Sequence, residues 1–226
     1  NLKNYLVICG KGNNGGDGYA IARHLHSAGK NVNIFSIGNE NLSNDCQINY
    51  NICKNLNIKM FSDIKELDSL LLKCEAVIEG IFGTGLNSNI EGMYKTVIQK
   101  INAYSHNRTV YSIDIPSGID GNNGEVLGIA VKADKTISFV TYKKAFLNIN
   151  NKKYFGDIYV EQIGFNINNI SHLVNEYYLT GELIKGKVIE RKEDAHKGDF
   201  GRVLIFAGSN GFSGAASIVS EACVRT

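Results

Sequence analysis

Three glycine-rich segments in this sequence each follow a short apolar run, and this pattern limits the folds that the chain can adopt. The first is 10–18 (GKGNNGGDG), which comes directly after Tyr5–Cys9 (YLVIC). The others are 79–89, which follows Ala76–Ile78, and 114–121, which overlaps the end of the run Val110–Ile115. Continuous apolar runs that end in glycine turns are typical of buried parallel strands. Because parallel strands end at one edge of a sheet, we expect the three segments to lie close together.

Helical periodicity separates these runs. The predicted helices are Asn14–Ala28, capped by Gly29, and three more marked by Ile48, Ile52 and Leu56, by Leu67, Leu70 and Leu71, and by Met93, Val97 and Ile101. Further strand residues are predicted at Val32–Ile37, Ile81-Phe82, Lys135–Thr141 and Asp157–Glu161. Strands that alternate with helices favour right-handed βαβ units. We therefore predict an α/β fold: a Rossmann-like, doubly wound, mostly parallel sheet with helices on both faces.

Composition and charge exclude several classes of protein. With 43% hydrophobic and 20% charged residues among 226, the chain is neither disordered nor collagen-like. A net charge of +2 is too small to imply nucleic acid. The five cysteines include no C-x-x-C pair, which disfavours disulfides and zinc and favours a reducing cytoplasm. No apolar run reaches the roughly 18 residues of a membrane span, and the N-terminus lacks a signal-peptide pattern.

The last quarter of the sequence indicates the first part of a second domain. Around Asn166–Asn175 the sequence becomes polar and rich in asparagine, which indicates a connecting segment. A predicted strand at Arg202–Ala207 and an alanine-rich helix ending at Thr226 follow it. One strand and one helix cannot bury a core of their own. We therefore predict a first domain at 1–165, a linker at 166–190 and the start of a second α/β domain at 191–226.

The first glycine segment matches a dinucleotide fingerprint only in part. Gly10, Gly12 and Gly15 satisfy G-x-G-x-x-G between a strand and a helix, where bare main-chain N–H groups bind a pyrophosphate. A redox dinucleotide site also needs an acid at the end of the second strand. That strand ends in 36–38 (SIG), and Glu40 comes late. An NAD-dependent oxidoreductase is therefore disfavoured.

Polar side chains accompany all three segments. Asn13, Asn14 and Asp17 could bind a ligand or a hard cation. The alternative is structural: Asn13 would cap the helix, and the charge of Asp17 would interact with the helix dipole. Glu79 and Asp114 stand at predicted strand ends. Their convergence on one sheet edge favours a binding site. Ser117 adds a hydroxyl, whereas Asp120 is also explained as the cap of its own turn.

Together the three segments resemble the NAD(P)HX epimerase family, the YjeF N-terminal domain. The resemblance spans about Tyr5 to Phe165 and rests on three motifs: GNNGGDG at 12–18 with Arg23, EGIFGTG at 79–85, and DIPSG at 114–118 with Asp120. Members of this family interconvert the R and S epimers of hydrated NADH and NADPH at carbon 6 of the nicotinamide ring. The resemblance also implies further helices ahead of the first strand, which help to form a dimer and shield one sheet face. It leaves a homo-oligomer open.

The resemblance assigns roles to residues. The substrate NAD(P)HX would be bound by Asn13, Asn14, Gly15, Gly16, Asp17, Gly83, Thr84, Gly85, Leu86, Asn87, Ser88, Asn89 and Asp114. Potassium would be bound by Asn14, Glu79 and Ser117, where the family usually has Asp in place of Glu79. Our hypothesis is that Asp114 is the catalytic acid–base group, because it is a carboxylate at a strand end within the ligand crevice.

The tail has a resemblance of its own. The segment 196–202 (HKGDFGR), with 207–209 (AGS) and 214–216 (GAA), looks like the opening of an ADP- or ATP-dependent NAD(P)HX dehydratase, a ribokinase-like domain. The resemblance implies that Ala215 contacts the dehydratase substrate and that this chain by itself dehydrates nothing. A non-catalytic nucleotide- or RNA-binding scaffold of the same fold remains the alternative function. The near-neutral charge disfavours RNA.

Overall fold

The computed structural model describes residues 2–164, 176–179, 181–185, 194–196, 198–199 and 201–225. The chain divides into two compact units, Asn1–Asn175 and Glu176–Thr226. The predicted linker 166–190 and the Asn-rich stretch Asn166–Asn175 lie largely or wholly outside the described residues.

The first unit is built on a seven-stranded sheet in which every neighbouring pair is parallel. The strands are β1 (Asn4–Cys9), β2 (Asn31–Ser36), β3 (Lys59–Phe61), β4 (Ala76–Gly80), β5 (Thr109–Ile113), β6 (Lys135–Phe139) and β7 (Asp157–Glu161). Their order is β3-β2-β1-β4-β5-β6-β7. The strand order reverses between β1 and β4, and such a switch point opens a crevice at the carboxyl edge. The predicted Rossmann-like sheet is confirmed.

Helices cover both faces of the sheet. They are α1 (Asn13–Ser27), α2 (Asn44–Asn55), α3 (Ile64–Lys73) and α4 (Gly92–Tyr104). An apolar core lies on each face of the sheet, and alternate residues of β1 belong to one core or the other. Val7 packs with Tyr19 of α1, whereas Leu6 packs with Leu67 of α3 and Ile98 of α4. Short 3-10 helices occur at Ser105–Asn107, Lys144–Leu147 and Ile149–Tyr154.

Several predicted boundaries shift at the edge where the strands end. The strand predicted at Val110–Ile115 stops at Ile113, because Asp114 takes a positive φ of 65° and turns the chain out of the sheet. The strand predicted at Lys135–Thr141 stops at Phe139 for the same reason, with Val140 at φ 67°. Ile81-Phe82 lies outside β4, which instead includes the charged Glu79. Each departure places polar or strained residues at the crevice.

The structure contradicts the apolar stripe predicted for α2. Ile48 and Leu56 are 57% and 41% exposed, whereas Cys46 and Cys53 are fully buried. The helices α1 and α2 approach closely where Gly16 faces Cys46: a Cβ on Gly16 would lie 3.1 Å from the Cys46 Cα. The helix is therefore oriented by its small residues and not by its largest apolar ones. Strand β3 was missed because it is only three residues long.

In the second unit, the described residues include helices α5 (Gly181–Lys185) and α6 (Gly214–Arg225). The strand predicted at Arg202–Ala207 is wrong, since residues 201–208 carry no regular structure. A strand needs a hydrogen-bonded neighbour. In this unit, the described residues offer only one isolated antiparallel bridge, between Ser209 and Phe212. Across the described parts of both units, no helix combines the length and apolar character needed to cross a membrane.

Candidate active site

A cleft of about 700 Å³ opens at the switch point of the sheet. It is walled by the loops that follow β1, β4 and β5 and by the end of β6. The lining residues are Lys11, Gly12, Asn13, Asn14, Asp17, Ser43, Ile81, Phe82, Gly83, Thr84, Gly85, Leu86, Asn87, Ser88, Tyr94, Asp114 and Phe139. The three glycine-rich segments therefore converge as the sequence pattern predicts.

Two glycines of the first segment allow main-chain segments to pack without side chains between them. A Cβ on Gly10 would lie 2.0 Å from the carbonyl oxygen of Ile81, and one on Gly15 would lie 2.1 Å from that of Gly10. Both distances are far too short for any side chain. These contacts bring the β1 loop against the β4 loop. Gly15 and Gly16 are buried in α1 and do not line the cleft.

Beneath the cleft, Glu79 is a fully buried carboxylate that accepts four hydrogen bonds. Its Oε1 accepts from the Ser112 hydroxyl at 2.5 Å and from the Ser117 main-chain N–H at 3.0 Å. Its Oε2 accepts from the Ser117 hydroxyl at 2.6 Å and from the Ile81 N–H at 3.3 Å. Burial raises the pKa of Glu79, and these hydrogen bonds oppose that rise. Within the described residues, no Lys, Arg or His forms an ion pair with it.

Asn14 and Ser117 connect this carboxylate to the cleft. The Asn14 amide donates to the carbonyl oxygens of Phe82 at 2.9 Å and Ile113 at 3.3 Å. The Ser117 hydroxyl lies 3.0 Å from the same Phe82 oxygen and accepts from the Phe82 N–H at 2.8 Å. The structure therefore brings Asn14, Glu79 and Ser117 into one buried network rich in oxygen atoms. Among the described residues, no cluster of three His, Cys, Asp or Glu side chains suits a transition metal.

Asp114 lies at the end of β5 in a strained main-chain conformation. Its φ of 65° is uncommon for a residue other than glycine and costs on the order of 1–3 kcal/mol. Its Oδ1 forms an ion pair with the Lys143 ammonium at 3.0 Å, and the two side chains are only 16% and 18% exposed. Lys143 also donates to the Phe139 carbonyl at 2.8 Å. The ion pair fixes the carboxylate in the cleft wall.

A second carboxylate lies across the cleft from this pair, on the first turns of α1. The pKa of Asp17 is raised, first by partial burial and then by the negative charges of Asp114 and Asp45. The cleft therefore holds two carboxylates in different settings. Asp114 has a lysine partner, and Asp17 has like charges as neighbours.

The remaining residues named from the resemblance lie in four different places. Asn13, Gly83, Thr84, Gly85, Leu86, Asn87 and Ser88 line the cleft, whereas Asn89 lies outside it. Asp120 caps its own turn, since its Oδ1 accepts from the N–H groups of Asn122 and Asn123. Ala215 belongs to the second unit, where it is exposed in the first turn of α6.

Several residues at the cleft were missed by the sequence reasoning. Lys11, Ser43, Tyr94 and Phe139 line it, and Lys143 holds Asp114. Lys11 stands inside the first glycine segment, so a count of charges in that segment could have found it. Lys143 follows β6 by four residues, at the same sheet edge as the three glycine segments. Nothing in the local sequence marks Tyr94, which reaches the cleft by packing its ring 4.7 Å from that of Phe82.

A comparison with protein families gives a match over residues 1–145 to the family described as YjeF-related protein N-terminus. The match covers more than half of the chain and includes all three glycine-rich segments. This chain belongs to the YjeF-related N-terminal family.

Relatives with this domain carry related names. An NAD(P)H-hydrate epimerase from Limosilactobacillus fermentum is 42% identical over 156 residues, which are 69% of this chain and 72% of the relative. A bifunctional NAD(P)H-hydrate repair enzyme from Thermofilum pendens is 34% identical over 225 residues, or 97% of this chain. Those residues make up 42% of the length of that relative. This chain therefore spans less than half of the bifunctional protein.

The crystal structure of yeast ynu0 has the same fold. The two structures superpose with a TM-score of 0.60 over 71% of this chain and 65% of the yeast chain, at 21% sequence identity. At this identity the likeness concerns the fold alone. It agrees with the Rossmann-like sheet described above.

Proposed function

We propose that the first unit of this chain interconverts the R and S epimers of hydrated NADH and NADPH at carbon 6 of the nicotinamide ring. The observation that carries the proposal is Asp114, a carboxylate fixed by Lys143 in the wall of a cleft with dinucleotide-binding topology. The family membership and the name of the Limosilactobacillus relative support it.

The chemistry of the reaction matches one acid–base group. Inversion at carbon 6 requires the C–O bond to break and to form again on the other face of the ring. In our proposal, Asp114 enters the step protonated, with its Oδ1 still accepting a hydrogen bond from Lys143, and donates that proton to the hydroxyl oxygen as the bond breaks and water leaves. The lone pair of the ring nitrogen stabilises the resulting cation. Water then adds to the opposite face while the Asp114 carboxylate takes back a proton, so atoms and charge balance.

The start of α1 supplies anion-binding groups for the dinucleotide. This helix begins at Asn13, and its N-cap Gly12 contributes no side-chain hydrogen bond. The free main-chain N–H groups of a helix N-terminus, together with the helix dipole, stabilise a phosphate. Gly12 leaves open space, since a Cβ there would meet nothing within 4 Å. Phe82 and Tyr94 add an aromatic wall suited to a planar ring.

The residues around Glu79 fit a potassium ion. Glu79 and Ser117 bring carboxylate and hydroxyl oxygens together with the Phe82 carbonyl, which are ligands that hard cations prefer. The Asn14 side-chain N–H donates to that same carbonyl, and rotation of this amide would add its oxygen to the set. A buried carboxylate without a cationic partner among the described residues also favours a bound cation. Bound potassium would supply a positive charge beneath the cleft. The residues themselves hold the loops after β1, β4 and β5 together.

The second unit is proposed to be the start of a dehydratase domain. The bifunctional relative extends well beyond the length of this chain, and its aligned part includes the second unit. In the longer protein, ADP or ATP would be the cosubstrate, and Ala215 would lie near the dehydratase site. We place the protein in the cytoplasm, where its nucleotide substrate and reduced cysteines belong.

An epimer-resolved chromatographic assay tests the proposal. One pure epimer of hydrated NADH is incubated with the protein, and the approach to the equilibrium mixture is compared with the spontaneous rate. Interconversion well above that rate supports the function. Binding of an intact nicotinamide nucleotide without any acceleration would favour the non-catalytic scaffold. Oxidation or reduction of the nucleotide, followed by absorbance, would favour an oxidoreductase.

A further inference from the structure

Lys11 contributes a positive charge at one end of the cleft that the proposed reaction does not use. It follows β1 inside the first glycine segment and lines the cleft. Its side chain covers Gly38: a Cβ added there would lie 2.5 Å from Lys11 Cε and 3.0 Å from Lys11 Nζ. Across the described residues, the Lys11 ammonium forms neither a hydrogen bond nor an ion pair. It is therefore available to a ligand.

Lys11 is held in this position by the main chain around it. Its carbonyl oxygen accepts a hydrogen bond from the Ser43 N–H at 2.9 Å, one residue before α2 begins. The Ser43 hydroxyl donates to Asn13 Oδ1 at 2.8 Å. These bonds tie the loop after β1 to the start of α2. The ammonium itself lies at the end of β2, 3.0 Å from the position that a Cβ on Gly38 would take.

The end of β2 is the position at which Rossmann-type folds distinguish the two nicotinamide dinucleotides. An acid there accepts hydrogen bonds from the ribose hydroxyls of NAD, whereas a basic residue accommodates the 2′-phosphate of NADP. In this chain β2 ends at Ser36 and continues into Ile37 and Gly38, with no carboxylate. The side chain that occupies this position is the ammonium of Lys11.

The two ends of the cleft fix the direction in which a dinucleotide lies. Asp114 follows β5, on the far side of the switch point from β2. If the hydrated ring lies at Asp114, the pyrophosphate crosses the start of α1 and the adenosine ribose reaches the end of β2. This direction rests on the proposed function. It places the 2′ position of that ribose next to Lys11.

We propose that Lys11 binds the 2′-phosphate of the dinucleotide, so that this domain prefers hydrated NADPH to hydrated NADH. The 2′-phosphate is dianionic near neutral pH, and an ammonium partner forms a strong charge-assisted hydrogen bond with it. Gly38 is part of the same subsite, because any side chain there would displace the lysine.

Binding of the intact dinucleotides tests this without requiring turnover. Isothermal titration with NADP⁺ and with NAD⁺ is carried out at one fixed ionic strength of about 0.1 M, because screening changes such contacts. The protein is compared with Lys11→Gln and with Lys54→Gln, a control that removes the same charge from an exposed site at the end of α2. We expect the original protein to bind NADP⁺ about tenfold tighter than NAD⁺. Lys11→Gln abolishes this preference, and Lys54→Gln retains it.

Other results overturn the proposal. Equal affinity of the original protein for both dinucleotides contradicts it. If Lys11→Gln lowers the affinities for NADP⁺ and NAD⁺ by the same factor, Lys11 contacts the pyrophosphate, and its assignment to the 2′-phosphate is wrong. Titration with 2′-AMP and with 5′-AMP distinguishes contact with the 2′-phosphate from contact with the 5′-phosphate, which is part of the pyrophosphate in the dinucleotide. Epimerisation of hydrated NADH by the original protein is measured alongside. Absence of epimerisation contradicts the proposed function. Equal affinity of the original protein for NADP⁺ and NAD⁺, with epimerisation intact, contradicts only this inference.

Discussion

The Lys143 ammonium lies 3.0 Å from Asp114 Oδ1, and this ion pair joins the ends of the neighbouring strands β5 and β6 in the wall of the cleft. Asp114 itself has a positive φ, and Lys143 comes three residues after Val140, which has one as well. Such strain persists only where surrounding contacts hold it in place. The ion pair and the Lys143 bond to Phe139 are two of those contacts.

Replacement of Lys143 by Met should lower kcat for epimerisation by about tenfold or more, because the carboxylate loses the partner that orients it. Lys143→Arg should restore part of the rate, since it keeps the charge. A positioning role predicts that KM changes less than kcat, and steady-state kinetics with each epimer measures this split. A rise in KM with kcat unchanged would instead assign Lys143 to substrate binding.

Potassium should stabilise the protein through Glu79. We expect the melting temperature to rise when choline chloride is replaced by potassium chloride at equal ionic strength, and Glu79→Gln to remove most of this rise. Glu79→Asp shortens the side chain by one methylene and should shift the concentration of potassium required. An equal response of Glu79→Gln and the original protein would place the cation elsewhere.

The buried Glu79 should also make stability depend on pH. Burial raises its pKa in the folded state above the ordinary value of 4.5, so the folded state binds the proton more tightly than the unfolded state does. The favourable contribution is therefore fully present below pH 4.5 and is lost as the pH rises through the folded-state pKa. In potassium-free buffer, Glu79→Gln should lack this decline. Urea unfolding at a series of pH values measures it, and parallel curves for the two proteins would contradict the expectation.

Gly15 and Gly12 offer a matched pair in the same loop. Gly15→Ala places a methyl group 2.1 Å from the Gly10 carbonyl oxygen, whereas Gly12→Ala meets nothing within 4 Å. Gly15→Ala should lower the free energy of unfolding by about 3 kcal/mol or more, and Gly12→Ala, at the N-cap, by about 1 kcal/mol or less. Chemical denaturation measures both. Similar losses in the two variants would mean that the close approach of Gly15 to the Gly10 carbonyl is not the reason for a glycine at position 15.

Much of the first unit could be predicted from the sequence, for physical reasons. Buried parallel strands such as Tyr5–Cys9 are nearly continuous apolar runs, and amphipathic α3 buries Leu67, Leu70 and Leu71 as its spacing predicts. The strand ends were harder to predict. Asp114 and Val140 take positive φ because of tertiary contacts and not because of their own preferences.

The site was predictable where its residues are local in sequence and less so where they meet only in the fold. The three glycine segments carry Asn14, Glu79, Asp114 and Ser117, so their convergence followed from the parallel sheet. Lys143 reaches Asp114 across a sequence separation of 29 residues, and no spacing rule connects them. The tail strand at Arg202–Ala207 was wrong because an apolar run does not form a strand without a neighbour.

The role of Asp114 as the acid–base group is the central claim, and Asp114→Asn tests it most directly. The substitution preserves the size of the side chain and removes its ability to transfer the proton. The measurement is the rate at which one pure epimer of hydrated NADH converts to the other, resolved by chromatography, with folding checked by circular dichroism. We predict that Asp114→Asn proceeds at the spontaneous rate while the original protein is far faster. Interconversion by Asp114→Asn as fast as by the original protein would contradict the account.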